Sequence, residues 1–305
     1  MYGGLLLAQT QYYSVFNTSL MITSSFFTQY FSESTSQSWI SADHTFKNAA
    51  NIGCNVPDGS WITQFDSLFI VLNEIGQVLT YKLTKGTSLD KVTDILTNLK
   101  CRLDKQGSYL STVFVDNCCQ VRLKLGHIFP NVEVKLDLFH AVKRVTAHVP
   151  KSGHHYLSSS FINDFKLMFR AEGDCGEERK MDTPDETVIA ANMEKLLHRW
   201  KDVKYESGET VLNANVCKEM EKLKCHILKG CLSRIPPGGG SNRNENLHRN
   251  LRSVIARSKL GCELAEAVLA VFCYIWNERK TSSSLPVGCV RPIHYQATLA
   301  LCCLS

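Results

Sequence analysis

No stretch of the 305-residue chain reaches the ~18 consecutive apolar residues that a membrane-crossing helix needs. The apolar run GLLLA in the opening MYGGLLLAQTQYY is short and follows no basic segment, so no secretory leader is expected. No CxxC pair occurs, the first 40 residues carry no zinc-finger spacing, and the loop IPPGGGS (235–241) is not followed by Lys-Ser/Thr, which excludes a P-loop. No internal repeat is present. The expectation is a soluble, intracellular chain with no membrane partner.

What is present is ordinary globular material, 44% hydrophobic and 21% charged, enough for a sizeable core. The net charge of +5 is unevenly spread. Between Ser241 and Leu260, five basic residues (Arg243, Arg249, Arg252, Arg257, Lys259) face one acid, Glu245. Such a stripe fits an anionic partner, nucleic acid among them, and fits a solvated helix face equally well. The 13 cysteines form no regular framework. Cys118–Cys119 and Cys302–Cys303 are adjacent pairs, while Cys217, Cys225 and Cys231 are poorly spaced for zinc. Most are expected to be reduced and buried as small hydrophobes, with Cys225–His226 a minor candidate for metal.

Residue periodicity divides the chain. SWISADHTF (38–46), WITQFDSLFIVLN (61–73) and QVLTYKLT (77–84) are β-prone and separated by turn signals, which predicts an antiparallel meander. Helical spacing follows over 88–103, with Ser88 as N-cap, then strand 111–116, helix 118–129, strand 132–137 and helix 138–149. Residues from about 150 to 235 are amphipathic and helical, and two more helices follow the Gly-rich loop. The order predicts an α/β fold: a ribonuclease-H-like mixed five-stranded sheet flanked by helices, with an all-α insertion. The expected organisation is a lead-in (1–37), the first part of the core (38–150), a helical insertion (151–235), the remainder of the core (236–280) and an irregular tail (281–305). Trp200 and Trp276 are expected in the core, and His154–His155 in a polar loop.

Acids stand where apolar strands end. Asp43 interrupts the first strand and Asp116 closes STVFVD; such a carboxylate is costly unless solvent, a partner or a metal receives it. Adjacent strands would bring the two together, and a cation would relieve their repulsion. Glu245 supplies a third acid, on a helix face shared with Arg249 and Arg252 and opposite an inward face of Leu247, Leu251, Val254 and Ile255. Mg²⁺ takes oxygen ligands, and two ions about 3.5–4 Å apart suit in-line phosphodiester displacement. In that arrangement Asp43 bridges both, with Asp116 and Glu245 holding one each. Each acid also has a plain structural reading: Glu245 in a capping box with Asn242 or paired with Arg249, Asp43 as a turn-proximal strand residue, and Asp116 with Asn117 capping the next helix.

Three blocks, SADHTFKNAANIG (41–53), VFVDNCCQVRLKLGHIFPNVEVKLDLFHAVKRV (113–145) and GCLSRIPPGGGSNRNENLHRNLR (230–252), resemble DDE-type transposases and proteins derived from them, over about residues 38–278. The resemblance implies a D-D-E triad of Asp43, Asp116 and Glu245 binding Mg²⁺ or Mn²⁺, two ions expected. It implies a helical insertion before the glutamate helix, and DNA (transposon ends and target) as partner. A D-x-x-H motif like that of Mutator-like and hAT-like transposases falls on Asp137-Leu138-Phe139-His140, which would support the site. Asp137 also fits as the cap of the following helix. Lys143, Arg144, Arg243, Arg249 and Arg252 are the candidate phosphate contacts. Homo-oligomers and a nuclear location follow from the same resemblance. The alternative is a domesticated derivative that binds DNA or protein without turnover, and a Cys/His structural metal protein is a third reading.

Overall fold

The computed structural model describes residues 25–46, 49–150, 156–174, 176, 178–255 and 259–284. The His154–His155 pair and all of the tail beyond residue 284 lie outside the described residues. The strands are β1 (Trp39–Thr45), β2 (Ile52–Asn55), β3 (Trp61–Thr63), β4 (Ser67–Asn73), β5 (Val78–Thr84), β6 (Thr112–Val115), β7 (Glu133–Leu136) and β8 (Leu260–Gly261). The helices are α1 (Thr93–Lys105), α2 (Cys118–Ile128), α3 (Leu138–Thr146), α4 (Tyr156–Leu167), α5 (Glu186–Trp200), α6 (Ala214–Leu228), α7 (Asn242–Ile255) and α8 (Cys262–Ser284). Residues 25–33 are also helical. The fold is α/β, with a mixed five-stranded sheet in the order β5-β4-β1-β6-β7 and a small sheet in the order β3-β2-β8.

The described residues form two compact units, one within 25–37, 44–109 and 244–284, the other within 38–43 and 110–243. In the first, β4 is buried at every residue and pairs antiparallel with β5, the register shifting between Val71 and Leu72. Ile52, Leu68, Ile70, Leu72 and Val78 form its core with Leu247, Leu251, Ile255, Leu269 and Trp276. In the second unit β1, β6 and β7 run parallel. Helix α4 buries Phe161 and Phe165, α5 buries Ile189, Met193, Leu196 and Trp200, and α6 buries Val216, Met220, Leu223 and Ile227. These three- and four-residue spacings put one apolar stripe on each helix. Phe161 and Trp200 meet edge to face at 5.4 Å.

Several sequence expectations are corrected here. Residues 61–73 are two strands, not one, because the polar Gln64–Asp66 turn divides them; β3 joins β2 and β8 in a second sheet that the pattern did not announce. Gly53 makes that sheet feasible, since a Cβ there would lie 2.1 Å from the Ile62 carbonyl oxygen. Ser88 does not cap α1: a short 3₁₀ turn, Leu89–Lys91, intervenes, Val92 occupies the N-cap position and the Ser88 hydroxyl bonds Asp90. Val254, at the edge of the α7 stripe, is 49% exposed, and the buried face is completed by Asn244 and His248. Among the described cysteines only Cys118, Cys231 and Cys273 are buried; Cys54, Cys101, Cys119, Cys217 and Cys225 are exposed and Cys262 is half-buried, so burial as small hydrophobes does not describe the majority. Trp200 and Trp276 are core residues as expected, their indole N–H groups donating to Asp164 and to the Gly76 carbonyl.

Candidate metal centre

The registers of the parallel strands explain how distant acids meet. β1 pairs with β6 as Trp39↔Thr112, Ile40↔Val113 and Ser41↔Phe114, and β6 pairs with β7 from Thr112↔Glu133 to Val115↔Leu136. Carried to the ends of the strands, the same registers set Asp43 opposite Asp116 and Asp116 opposite Asp137. Residues in one row of a sheet project to one face. Three carboxylates thus share a row at the C-terminal ends of three adjacent parallel strands, the place where open α/β sheets bind ligands.

His140 comes to this row from the first turn of α3. Asp43, Asp116 and His140 each offer one ligand atom, and these lie within 4.8 Å of one another. His140 Nδ1 is 2.8 Å from Asp116 Oδ2, and its Nε2 is 3.6 Å from Asp137 Oδ2. Asp43 is 8% exposed. Asp116 Oδ1 is buried and has no hydrogen-bond partner among the described residues. A buried acceptor in that state costs about 1–3 kcal/mol unless something receives it. Burial works against the His140 cation, but the hydrogen bond to Asp116 and the charges of Asp116, Asp137 and Asp43 outweigh it, so its pKa is raised. A cation at this position offsets part of the repulsion among the acids.

Asp137 is fully buried and does two jobs. It is the N-cap of α3, its Oδ1 accepting from the Phe139 N–H at 2.9 Å, and its Oδ2 receives the Ser241 hydroxyl. Burial raises its pKa above the ordinary carboxylate value, against those hydrogen bonds and the His140 charge. The loop IPPGGGS is packed against this acid. Gly240 has φ +129° and a Cβ there would lie 2.7 Å from Asp137 Oδ1; one on Gly239 would meet Ile235, Pro236 and Phe114 at 2.9–3.0 Å. Thr183 ties the loop by donating to the Leu232 carbonyl and accepting from the Ile235 N–H, and Arg179 donates to the Pro236 carbonyl. The roles of Gly240 and Ser241 were missed in the sequence; the signal available was the serine and three glycines beside a D-x-x-H motif.

The cap reading of Asp116 fares poorly. Asn117 holds the N-cap position of α2 and makes no side-chain cap bond, while Asp116 turns to His140. Arg144 donates to the Asp116 carbonyl oxygen at 2.6 Å, so this candidate phosphate contact also braces the strand end. Lys143, exposed beside it, sits over the Phe139 ring at 5.5 Å. Arg243 lies over Trp39 at 5.5 Å, and Arg249 and Arg252 are exposed on α7. Glu245 is half-buried in the first turn of α7, in the unit that begins again at Asn244. That helix starts at Asn242, not after it, so the capping box that placed Asn242 before the first turn is displaced.

The donor set suits a divalent cation. Carboxylate oxygens suit Mg²⁺ and Mn²⁺, and His140, hydrogen-bonded to Asp116 Oδ2, orients that carboxylate. The buried Asp116 Oδ1 is the atom most in need of one. Neither a protein-family model nor a curated protein matches the chain. Among the described residues no helix is long and apolar enough to cross a membrane.

Proposed function

We propose that this chain carries a ribonuclease-H-like catalytic domain of the DDE transposase type, which hydrolyses a DNA phosphodiester and joins the freed 3′-hydroxyl to target DNA. The observation that carries the reading is the meeting of Asp43 and Asp116, with His140, within 4.8 Å at the ends of adjacent parallel strands. Asp43 and Asp116 hold the divalent cation, and Glu245 is the third ligand in this reading. The bound ions, Mg²⁺ or Mn²⁺ and two in number, supply Lewis-acid polarisation of the phosphoryl oxygens and a more acidic water.

The residues of the chain then have distinct tasks. His140 holds Asp116 by its Oδ2 and leaves Oδ1 for the cation. Asp137 anchors α3, and so His140, to the end of β7. Lys143, Arg144, Arg243, Arg249 and Arg252 supply the positive charge that holds the phosphate backbone, a sequence-independent contact weakened by salt. The reading includes a nuclear location and a homo-oligomer, because two DNA ends must be joined.

The test is nicking of supercoiled plasmid carrying candidate transposon ends, with Mg²⁺, Mn²⁺ or EDTA. Wild type nicks only with a divalent ion, and Asp43→Asn, Asp116→Asn and Glu245→Gln are inactive while still retarding DNA in a gel. If wild type is as inert as Asp116→Asn and both still bind DNA, the domesticated, non-catalytic reading replaces this one.

A further inference from the structure

A second cluster of metal-ligating side chains lies apart from the acids. Cys118 and Cys119 open α2, His226 lies in the last turn of α6, and Cys231 follows that helix. Their ligand atoms all lie within 4.8 Å of one another. The separations are 3.9 Å for Cys118 Sγ to Cys119 Sγ, 3.7 Å for Cys119 Sγ to Cys231 Sγ, and 3.7 and 3.4 Å from His226 Nδ1 to Cys118 and Cys119. Tetrahedral zinc, with Zn–S of about 2.3 Å and Zn–N of about 2.0–2.1 Å, requires S···S near 3.8 Å and S···N near 3.6 Å. The observed spacings bracket both values. All these thiols are free, so no disulfide draws them together.

The surroundings are built to hold such a group. Gly230, at φ +67°, turns the chain after α6, with its N–H on the Ile227 carbonyl and the Cys231 N–H on the His226 carbonyl. That turn brings His226 and Cys231 to the same point. The Cys231 carbonyl accepts from the Leu136 N–H, and the Gly230 carbonyl from Lys135 Nζ, fixing the turn to β7. Arg122 Nη2 lies 3.0 Å from Cys231 Sγ. Three thiolates, one neutral imidazole and Zn²⁺ sum to a single negative charge, which the guanidinium balances.

We infer that Cys118, Cys119, His226 and Cys231 form a closed Cys₃His structural zinc site that clamps the end of α6 to the start of α2. On binding, the three thiol protons leave to solvent and His226 coordinates through Nδ1; no oxidant or reductant is involved. The four ligands are all protein, so the ion has no open position and no catalytic part. The site stands whether or not the acidic centre acts on DNA. It also fixes the turn that carries Asp116, two residues before Cys118.

The full chain, purified under reducing conditions, is analysed for metal and free thiols. One zinc per chain is expected. His226→Ala and Cys231→Ala lose it, Cys119→His retains it, and Cys217→Ser and Cys225→Ser, exposed and outside the cluster, keep it in full. Replacement by Co²⁺ gives the intense visible bands of a tetrahedral thiolate site in wild type and Cys119→His alone among the cluster variants. If a chain folded by circular dichroism holds no zinc and takes up neither Zn²⁺ nor Co²⁺, the site does not exist. Metal retained equally by His226→Ala and Cys231→Ala, or a Cys119–Cys231 disulfide in the purified chain, overturns it as well.

Discussion

Replacing Gly240 with alanine tests whether the Gly-rich loop is fitted to Asp137. The glycine has φ +129°, a conformation almost confined to glycine, which costs a side-chain-bearing residue about 1–3 kcal/mol. The new Cβ would also sit 2.7 Å from Asp137 Oδ1, an oxygen held by the Phe139 N–H and unable to withdraw without uncapping α3. Overpacking of that kind adds about 1–3 kcal/mol. Together the two effects predict a loss of about 2–6 kcal/mol for Gly240→Ala. Gly59 is the control: its φ is +82°, but nothing lies within 4 Å of an added Cβ, so Gly59→Ala suffers backbone strain alone, about 1–2 kcal/mol. Urea unfolding followed by tryptophan fluorescence compares the two. If Gly240→Ala costs no more than Gly59→Ala, the close packing of the loop on Asp137 is wrong.

Two further predictions rest on neighbouring groups. Ser241→Ala strips the buried Asp137 Oδ2 of its hydroxyl donor and should cost about 1–3 kcal/mol, against about 0.5 kcal/mol or less for Ser253→Ala on the exposed face of α7; the same unfolding assay reads both. His44, on the face of β1 opposite Asp43, lies against the Phe69 ring and Ser67, and burial lowers its pKa from 6.5 to about 4. The unfolded chain therefore takes up this proton first, so the His44 contribution is complete above about pH 6.5 and lost as the pH falls toward 4. The full shift corresponds to about 3.4 kcal/mol, and partial solvent contact reduces it to about 1–2 kcal/mol. His44→Gln should flatten the stability profile between those pH values, and an unchanged profile would show that His44 is not the group responsible.

Some of this was legible in the sequence for a clear reason. Asp43 and Asp116 could be picked out because each breaks an apolar β-prone run, and apolar strands side by side force their ends together. The βαβ alternation of 111–149 gave the parallel strands, since each element has its own period. The common row of Asp43, Asp116 and Asp137 was not visible, because register depends on pairing and not on either strand alone. Asp137 therefore read as a cap, which it is, without its contact to Ser241. The cysteine cluster failed for the same reason. Spacing rules find ligands that lie close in sequence, whereas here Cys119 and Cys231, 112 residues apart, meet only through the fold. The small sheet escaped because strands of two to four residues carry no usable period.

The claim that Asp43 and Asp116 hold a divalent cation is tested most directly by titrating the chain with Mn²⁺ and following the free ion by electron paramagnetic resonance. Wild type should bind the ion, and Asp116→Asn and Asp43→Asn should each weaken it by about tenfold or more, since loss of a charged ligand exceeds the 10–100-fold range's lower bound known for outer partners. Binding by both variants as tight as wild type, or no binding by wild type at millimolar Mn²⁺, would contradict the account.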